Sequence, residues 1–207
     1  MITPKFEKKY CSNLLSWEEL SNLVNNLPLM TVDRFMVNLP EDYKRNLHWE
    51  SDRWTTNNRS VPSILLKDII ENYVCHIEEM SRSTAAINSF ARTIEETYHM
   101  PTDAHIYICK NVSAEHPFGI HFDDSHNVIV QCEGETNFKV WDMIKDRNQP
   151  LPKLSDHPLL DVDMKPGDAI WIPYHYPHLA TSYTPRMSVS FPFMGDKPFQ
   201  NREWIQL

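Results

Sequence analysis

Glycine is nearly missing from this chain. Only Gly119, Gly134, Gly167 and Gly195 are present, and none lies before residue 119. Glycine marks tight turns and close approaches of backbone, so its absence from the first half suits helices and its return suits strands and turns. Long apolar runs are missing too. No stretch approaches the ~18 uninterrupted apolar residues that a membrane span requires, so a membrane protein of the helical kind is excluded. The opening MITPKFEKKYC has no apolar segment of the secretory type, and a cytoplasmic location is expected. A basic surplus is absent: Asp and Glu number 28 against 20 Lys and Arg, for a net charge of −8. That argues against non-specific nucleic-acid binding, which runs on a basic surface. Paired cysteines are lacking as well. Cys11, Cys75, Cys109 and Cys132 are scattered with no CxxC, which speaks against a cysteine zinc site and for free thiols in a reducing compartment.

What is present is an ordinary apolar fraction of 41% in 207 residues, enough for one domain with a real core. Ser16-Trp17-Glu18-Glu19 has the form of a capping box and predicts a short helix running through Leu20 and Leu23. Residues 33–38 read as a strand. Pro62 to Ile77 begins at a proline and shows helical spacing. In 83–98, Ala86, Phe90 and Ile94 recur every four residues and predict the clearest helix, stopped by Pro101. From Ala104 the pattern changes to period two. HIYIC, GIHFD, NVIVQC, NFKVW, DAIWIP and RMSVSFPF read as strands between Pro, Gly, Asn and Asp turns, with a long polar loop over 143–161. The expected layout is a single domain over 1–207: a helix-rich part over 1–100, a β-barrel or sandwich over 101–195, and a tail over 196–207.

Within the second half, Gly119-Ile120-His121-Phe122-Asp123 places two metal-ligating side chains two residues apart. In a strand such residues share a face, so His121 and Asp123 can reach one ion. Pro166-Gly167-Asp168 predicts a turn, followed by the short strand Ala169–Pro173 and then His178 at its exit. Two histidines and one carboxylate on one side of a metal make the facial triad of non-heme Fe(II) oxygenases, which leaves three positions open. An H-x-D triplet alone is common; it is the pairing with His178 on a second strand that makes the set specific. A structural zinc on the same residues is the chemical rival, and His126, His175 and Asp124 lie close enough to be alternative ligands.

These stretches resemble the Jumonji-type (JmjC), cupin-like 2-oxoglutarate oxygenases, a family that includes protein asparaginyl and ribosomal-protein hydroxylases. The similarity runs from about Ile87 to Gly195. It is carried by DAHIYICKN, by FGIHFDDSHNVIVQCEGETNFKVW with Gln131 and Gly134, and by MKPGDAIWIPYHYPHLA followed by RMSVSFPF. The resemblance implies a double-stranded β-helix with helices packed outside it, and Fe(II) held by His121, Asp123 and His178. It also shows departures. Many members carry a lysine fifteen residues after the first ligand histidine to hold the far carboxylate of 2-oxoglutarate; Thr136 stands there. A threonine common three residues before that histidine is Phe118. A glycine common between the proline and the last histidine is His175, a residue that tolerates φ > 0 better than most.

A doubly charged ligand in a barrel needs a fixed cation, and Arg186 is the candidate. Arg186-Met187-Ser188 resembles the R-x-S element of the other large branch of these oxygenases. Strand alternation puts Arg186, Ser188 and Ser190 on one face, expected to look into the cavity, and Met187, Val189, Phe191 and Phe193 on the other. The competing reading is a strand-starting arginine at the surface; Lys139 is the fallback base, on the wrong face. Tyr107 and Asn127 are further candidates for the cosubstrate pocket, with Thr136 and Ser190 beside them, and Tyr174 and Tyr176 for a substrate-facing mouth. The expected activity is an Fe(II)- and 2-oxoglutarate-dependent dioxygenase, a hydroxylase, that consumes O₂. The alternatives are a cupin-type metal enzyme that does not use 2-oxoglutarate and a non-catalytic binding protein on the same barrel. Protein side chain, nucleotide and small molecule all stand as substrates, with polypeptide favoured by the resemblance, and the chain gives no signal that decides between monomer and homodimer.

Overall fold

Period-two alternation from residue 105 onward does build strands, and every ladder they form is antiparallel. The computed structural model describes residues 3–25, 35–37, 63–112, 119–144 and 155–193. Phe118, the expected tail over 196–207 and most of the 143–161 loop lie outside them. In chain order the elements are β1 (Lys5–Glu7), α1 (Trp17–Val24), β2 (Phe35–Val37), α2 (Ser63–Asn72), β3 (Cys75–Ile77), α3 (Ala85–Tyr98), β4 (His105–Cys109), β5 (His126–Glu133), β6 (Thr136–Val140), β7 (Leu160–Met164), β8 (Ala169–Ile172), β9 (His178–Ser182) and β10 (Arg186–Phe193). One sheet runs β1-β8-β5-β10-β4-β3-β2 and the other β7-β6-β9.

The two faces of the large sheet have different jobs. Ile106 and Ile108, Val128 and Val130, Trp171, and Met187, Val189, Phe191 and Phe193 point outward into one buried cluster with Leu20, Leu66, Ile69, Ile87, Ala91 and Ile94 of the helices. Ile129, Ile170 and Ile172 point the other way and meet Phe138, Val140 and Met164 of the small sheet. The chain therefore has a helix-covered core and a smaller core between the sheets. The expected two faces of β10 are both present, and its polar row looks between the sheets.

The helices form for legible reasons. Ser16 caps α1: its hydroxyl accepts the Glu19 amide and the Glu19 carboxylate accepts the Ser16 amide, a complete capping box. Thr84 caps α3 through the Ile87 amide at 3.1 Å, and His99 ends it in the left-handed conformation at φ 54°. The buried stripe of α3 is Ile87, Ala91 and Ile94, one residue on from the Ala86 start that four-residue spacing suggested.

Four expectations are corrected. The helix predicted over 62–77 stops at Asn72, because Cys75–Ile77 pairs with both β4 and β2; three residues suffice when two neighbours supply the ladder. Among the described residues of the first hundred, three helices alternate with three strands of the large sheet, so helices do not fill that part alone. The long loop expected over 143–161 ends sooner, because Leu160 and Asp161 already belong to β7, where Asp161 and Asp163 alternate with apolar neighbours. Finally, 119–123 is not a strand, and His178 is not past a strand's exit but begins one, β9.

Gly134 closes the β5–β6 turn at φ 66°, and a Cβ there would overlap the Pro185 carbonyl oxygen. The turn is tied to the β9–β10 turn by the Glu135 amide donating to Thr184 Oγ1 at 2.8 Å. Gly134→Ala should therefore lose more than the ~1 kcal/mol typical of a positive-φ glycine, read as a lower urea midpoint at unchanged slope. A midpoint equal to wild type would show that the Thr184-Pro185 turn gives way freely.

Candidate metal centre

His121 and His178 are locked to each other through their backbones. The His121 amide donates to the His178 carbonyl at 3.2 Å and the His178 amide to the His121 carbonyl at 2.8 Å, an isolated antiparallel bridge. That bridge replaces the strand expected at 119–123 and serves the same end. It brings the two imidazoles to 4.3 Å between centroids. Asp123 reaches the same point, with Oδ1 3.9 Å from His121 Nε2 and Oδ2 3.6 Å from His178 Nε2. One ligand atom from each of the three residues falls within 4.8 Å of the others.

The donor set fits a cation. His121 Nδ1 lies 3.2 Å from the Gly119 carbonyl and His178 Nδ1 3.0 Å from the Tyr176 carbonyl. A carbonyl only accepts, so each Nδ1 is the protonated nitrogen and each Nε2 turns a lone pair to the centre, the arrangement usual for ligating histidines. Burial, and next to it His121, pushes the His178 imidazole below its ordinary pKa, so it stays neutral and ligand-competent. Two lone pairs and a carboxylate facing one point repel unless a cation sits among them.

Asn127 has a different place from the one expected. Its Nδ2 donates to Asp123 Oδ2 at 2.6 Å, and its Oδ1 accepts from Ser190 Oγ at 3.4 Å. It orients the carboxylate and leaves Oδ1 for a metal. The neighbouring candidates are engaged elsewhere. His126 Nδ1 accepts the Tyr174 amide at 3.2 Å, and His175 Nε2 pairs with Asp124 Oδ1 at 3.0 Å. His175 does stand at positive φ, 63°, where the common glycine was missed, and its amide donates to the Asp123 carbonyl at 2.9 Å.

From the triad a narrow cleft, with a cavity volume of about 40 Å³, runs between the sheets, lined by Tyr107, Ile129, Phe138, Ala180, Arg186, Ser188 and Ser190 beside the three candidate ligands. Arg186 is 2% exposed, so it does not merely start a strand at the surface. Its Nε donates to Ser182 Oγ at 2.8 Å and Nη1 to Ser188 Oγ at 3.0 Å. These hydroxyls position the guanidinium without neutralising it. Burial pulls the Arg186 pKa down, with Cys109 and Tyr107 acting against that. Tyr107 is pushed up, by burial first and then Asp123, while Arg186 opposes, so its hydroxyl keeps its proton and can donate.

Thr136 is not part of the cleft lining but stands on the strand beside it. Across β6–β9 it pairs with Ser182, Phe138 with Ala180, and Val140 with His178. The metal end and the Ser182 end are thus four residues apart on one strand face, roughly 13 Å. The Arg186 head, bonded to Ser182, occupies the neighbourhood that a lysine at 136 would reach. Thr136 Oγ1 is fully buried with no hydrogen-bond partner, on the strand neighbour of the serine that receives Arg186 Nε. Lys139 faces away and pairs with Asp161 at 3.5 Å. Tyr174 and Tyr176 sit on the β8–β9 connection outside the cleft lining. The Tyr174 ring packs on His126 at 5.0 Å, and Tyr176 packs against the core between the sheets. Ser182 escaped sequence reasoning because β9 did; the alternation in His178-Leu179-Ala180-Thr181-Ser182 was its only signal.

Comparison with known proteins gives the family and the fold. The JmjC domain family model matches residues 76–199. A bifunctional lysine-specific demethylase and histidyl-hydroxylase of Drosophila persimilis is 22% identical over 172 residues, covering 77% of this chain and 24% of that protein. Among solved structures, the ribosomal oxygenase YcfD of Escherichia coli in complex with cobalt and 2-oxoglutarate aligns over 94% of this chain and 49% of its own, with 17% identity and a TM-score of 0.63. The same oxygenase with cobalt and succinic acid aligns with a TM-score of 0.62 at 16% identity, over 94% and 48% of the two chains. This chain spans about half the length of the solved oxygenase and a quarter of the demethylase.

Proposed function

Because the chain belongs to the JmjC domain family, we propose that it is an Fe(II)- and 2-oxoglutarate-dependent oxygenase, built on a double-stranded β-helix, that hydroxylates a polypeptide side chain. The observation that carries this is the single cleft joining a two-histidine, one-carboxylate cluster to a buried arginine. Support for a polypeptide substrate comes from the relatives, one named as a demethylase and histidyl-hydroxylase and one as a ribosomal oxygenase.

His121, Asp123 and His178 would hold the metal. With 2-oxoglutarate and O₂, the bound Fe(II) supplies the oxidative chemistry that hydroxylates the substrate and releases succinate and CO₂. The protein's share is positioning. Asn127 fixes the Asp123 carboxylate. Arg186 grips the far carboxylate of 2-oxoglutarate, with the Ser188 hydroxyl setting the guanidinium plane and Ser190 holding Asn127. Tyr107 donates its phenolic hydrogen to the cosubstrate, and Thr136 offers its unused hydroxyl to the same carboxylate. Ile129, Phe138 and Ala180 line the middle of the cleft and exclude water from the oxo-acid chain. Tyr174 and Tyr176, on the segment leading into His178, border the side from which a substrate arrives.

Anaerobic titration of Fe(II) and then 2-oxoglutarate into metal-free protein should give a weak visible metal-to-ligand charge-transfer band. Iron binding without that band would favour a cupin-type metal enzyme that does not use 2-oxoglutarate.

A further inference from the structure

The inner face of the large sheet carries a second convergence of metal-binding side chains. His76 on β3 pairs with Tyr107, and His105 on β4 pairs with Ser190; Tyr107 and Ser190 both line the cleft. Glu78 follows two residues after His76, on the same side of the chain. Ligand atoms of His76, Glu78 and His105 all lie within 4.8 Å of one another. His76 Nε2 is 3.0 Å from Glu78 Oε1, and the two imidazole rings are parallel with centroids 5.9 Å apart.

We propose that His76, Glu78 and His105 form a second divalent-cation site of the zinc class, separate from the His121–Asp123–His178 centre. Two imidazoles and one carboxylate are a zinc donor set, with a fourth position left for water. Hard, oxygen-seeking ions such as Mg²⁺ are less suited to it.

Three features favour a site over a chance ion pair. The two histidines stand on adjacent strands whose ladder fixes their separation, and Glu78 directly follows the first of these strands. The turn that follows is also fixed: Glu79 takes φ 56°, its amide donates to Asp103 Oδ2 at 2.9 Å, and the Met80 amide donates to the Ala104 carbonyl at 2.9 Å. Asp103 Oδ2 in turn lies 3.4 Å from His105 Nε2, the carboxylate–histidine pairing that orients ligating imidazoles. A pair between His76 and Glu78 alone would give no reason for His105 to converge on them. The consequence for the cleft is direct, because the His76 ring lies 4.9 Å from that of Tyr107. An ion held here would brace the Tyr107 wall.

The test is Co²⁺ titration of the metal-stripped full chain, followed by visible absorption, with Zn²⁺ as competitor. Wild type should bind two equivalents. The double variant His121→Ala/Asp123→Ala should keep one, with the stronger bands of low-coordinate Co²⁺, displaced by Zn²⁺. Adding His105→Gln to that background should weaken the remaining equivalent at least about tenfold, and Glu78→Gln, on a more exposed side chain, should do the same with little effect on the metal-free unfolding midpoint. No binding in the double variant, or binding indifferent to both His105→Gln and Glu78→Gln, would overturn the second site. A failure of the triad reading looks different: wild type would then bind one equivalent, still sensitive to His105→Gln.

Discussion

Asp123→Ala protein should produce no succinate above background when supplied with Fe(II), 2-oxoglutarate and O₂, and should bind Co²⁺ at the triad more than about 100-fold more weakly than wild type. Loss of an outer partner of a ligand already costs roughly 10- to 100-fold in affinity, and Asp123 is both a direct ligand candidate and the only carboxylate among the three. Without it, two neutral imidazoles face a divalent ion with no compensating charge. His121→Ala should fall as far in turnover, because the backbone bridge to His178 would survive while its lone pair would not. Asn127→Ala makes the graded comparison. It frees Asp123 Oδ2 from a 2.6 Å donor but leaves all three ligands, so its metal affinity should drop by about 10- to 100-fold only. Full turnover in Asp123→Ala or His121→Ala would remove the triad from the mechanism. Equal losses in Asn127→Ala and Asp123→Ala would make the asparagine more than an orienting group.

How these residues come together was legible in part. His121, Asp123 and His178 were readable because their chemistry is rare in combination. They share a face for another reason than strand alternation, since 119–123 is not a strand. The convergence depends on a reciprocal pair of backbone hydrogen bonds between residues 57 apart in sequence, and no local pattern announces such a bridge. β4, β5, β8 and β10 of the large sheet were visible because each has one face in the helix-covered core. β7 and β9 were not, because only their ends or alternate residues are buried and their polar faces read as loop. β3 was absorbed into a helix since three residues carry too little periodicity to compete with the helical run before them. The same weakness hid His76 and His105 as a pair, because only the β3–β4 register brings them together. Positive φ at His175 was legible from the missing glycine alone.

The cosubstrate end gives the sharpest remaining test, because there the chain departs from the pattern it resembles. Arg186→Met should leave Co²⁺ binding at the triad close to wild type and weaken 2-oxoglutarate binding by about 2–5 kcal/mol, the loss expected when one partner of a buried charge pair is removed, or roughly 30- to 5000-fold in Kd. The guanidinium is 2% exposed and already held by Ser182 and Ser188, so a ligand carboxylate meets a preorganised cation at little entropic cost. Arg186→Lys should recover only part of the affinity, because an ammonium cannot keep both hydroxyl contacts and present a planar fork. The decisive variant moves the charge rather than deleting it. Thr136 pairs with Ser182, the residue that receives Arg186 Nε, so Arg186→Ser combined with Thr136→Lys exchanges volume between neighbours and returns a cation to the same end of the cleft. The double variant should bind 2-oxoglutarate more tightly than Arg186→Ser alone, a coupling that two independent sites would not show. Thr136→Lys alone should instead lower the unfolding midpoint, since it buries a second positive charge beside the first. If Arg186→Met binds 2-oxoglutarate as wild type does while remaining folded and metal-competent, the anchor lies elsewhere. The orphaned Thr136 hydroxyl would then be the first group to examine, because it is buried without a hydrogen-bond partner on the residue that pairs with Ser182.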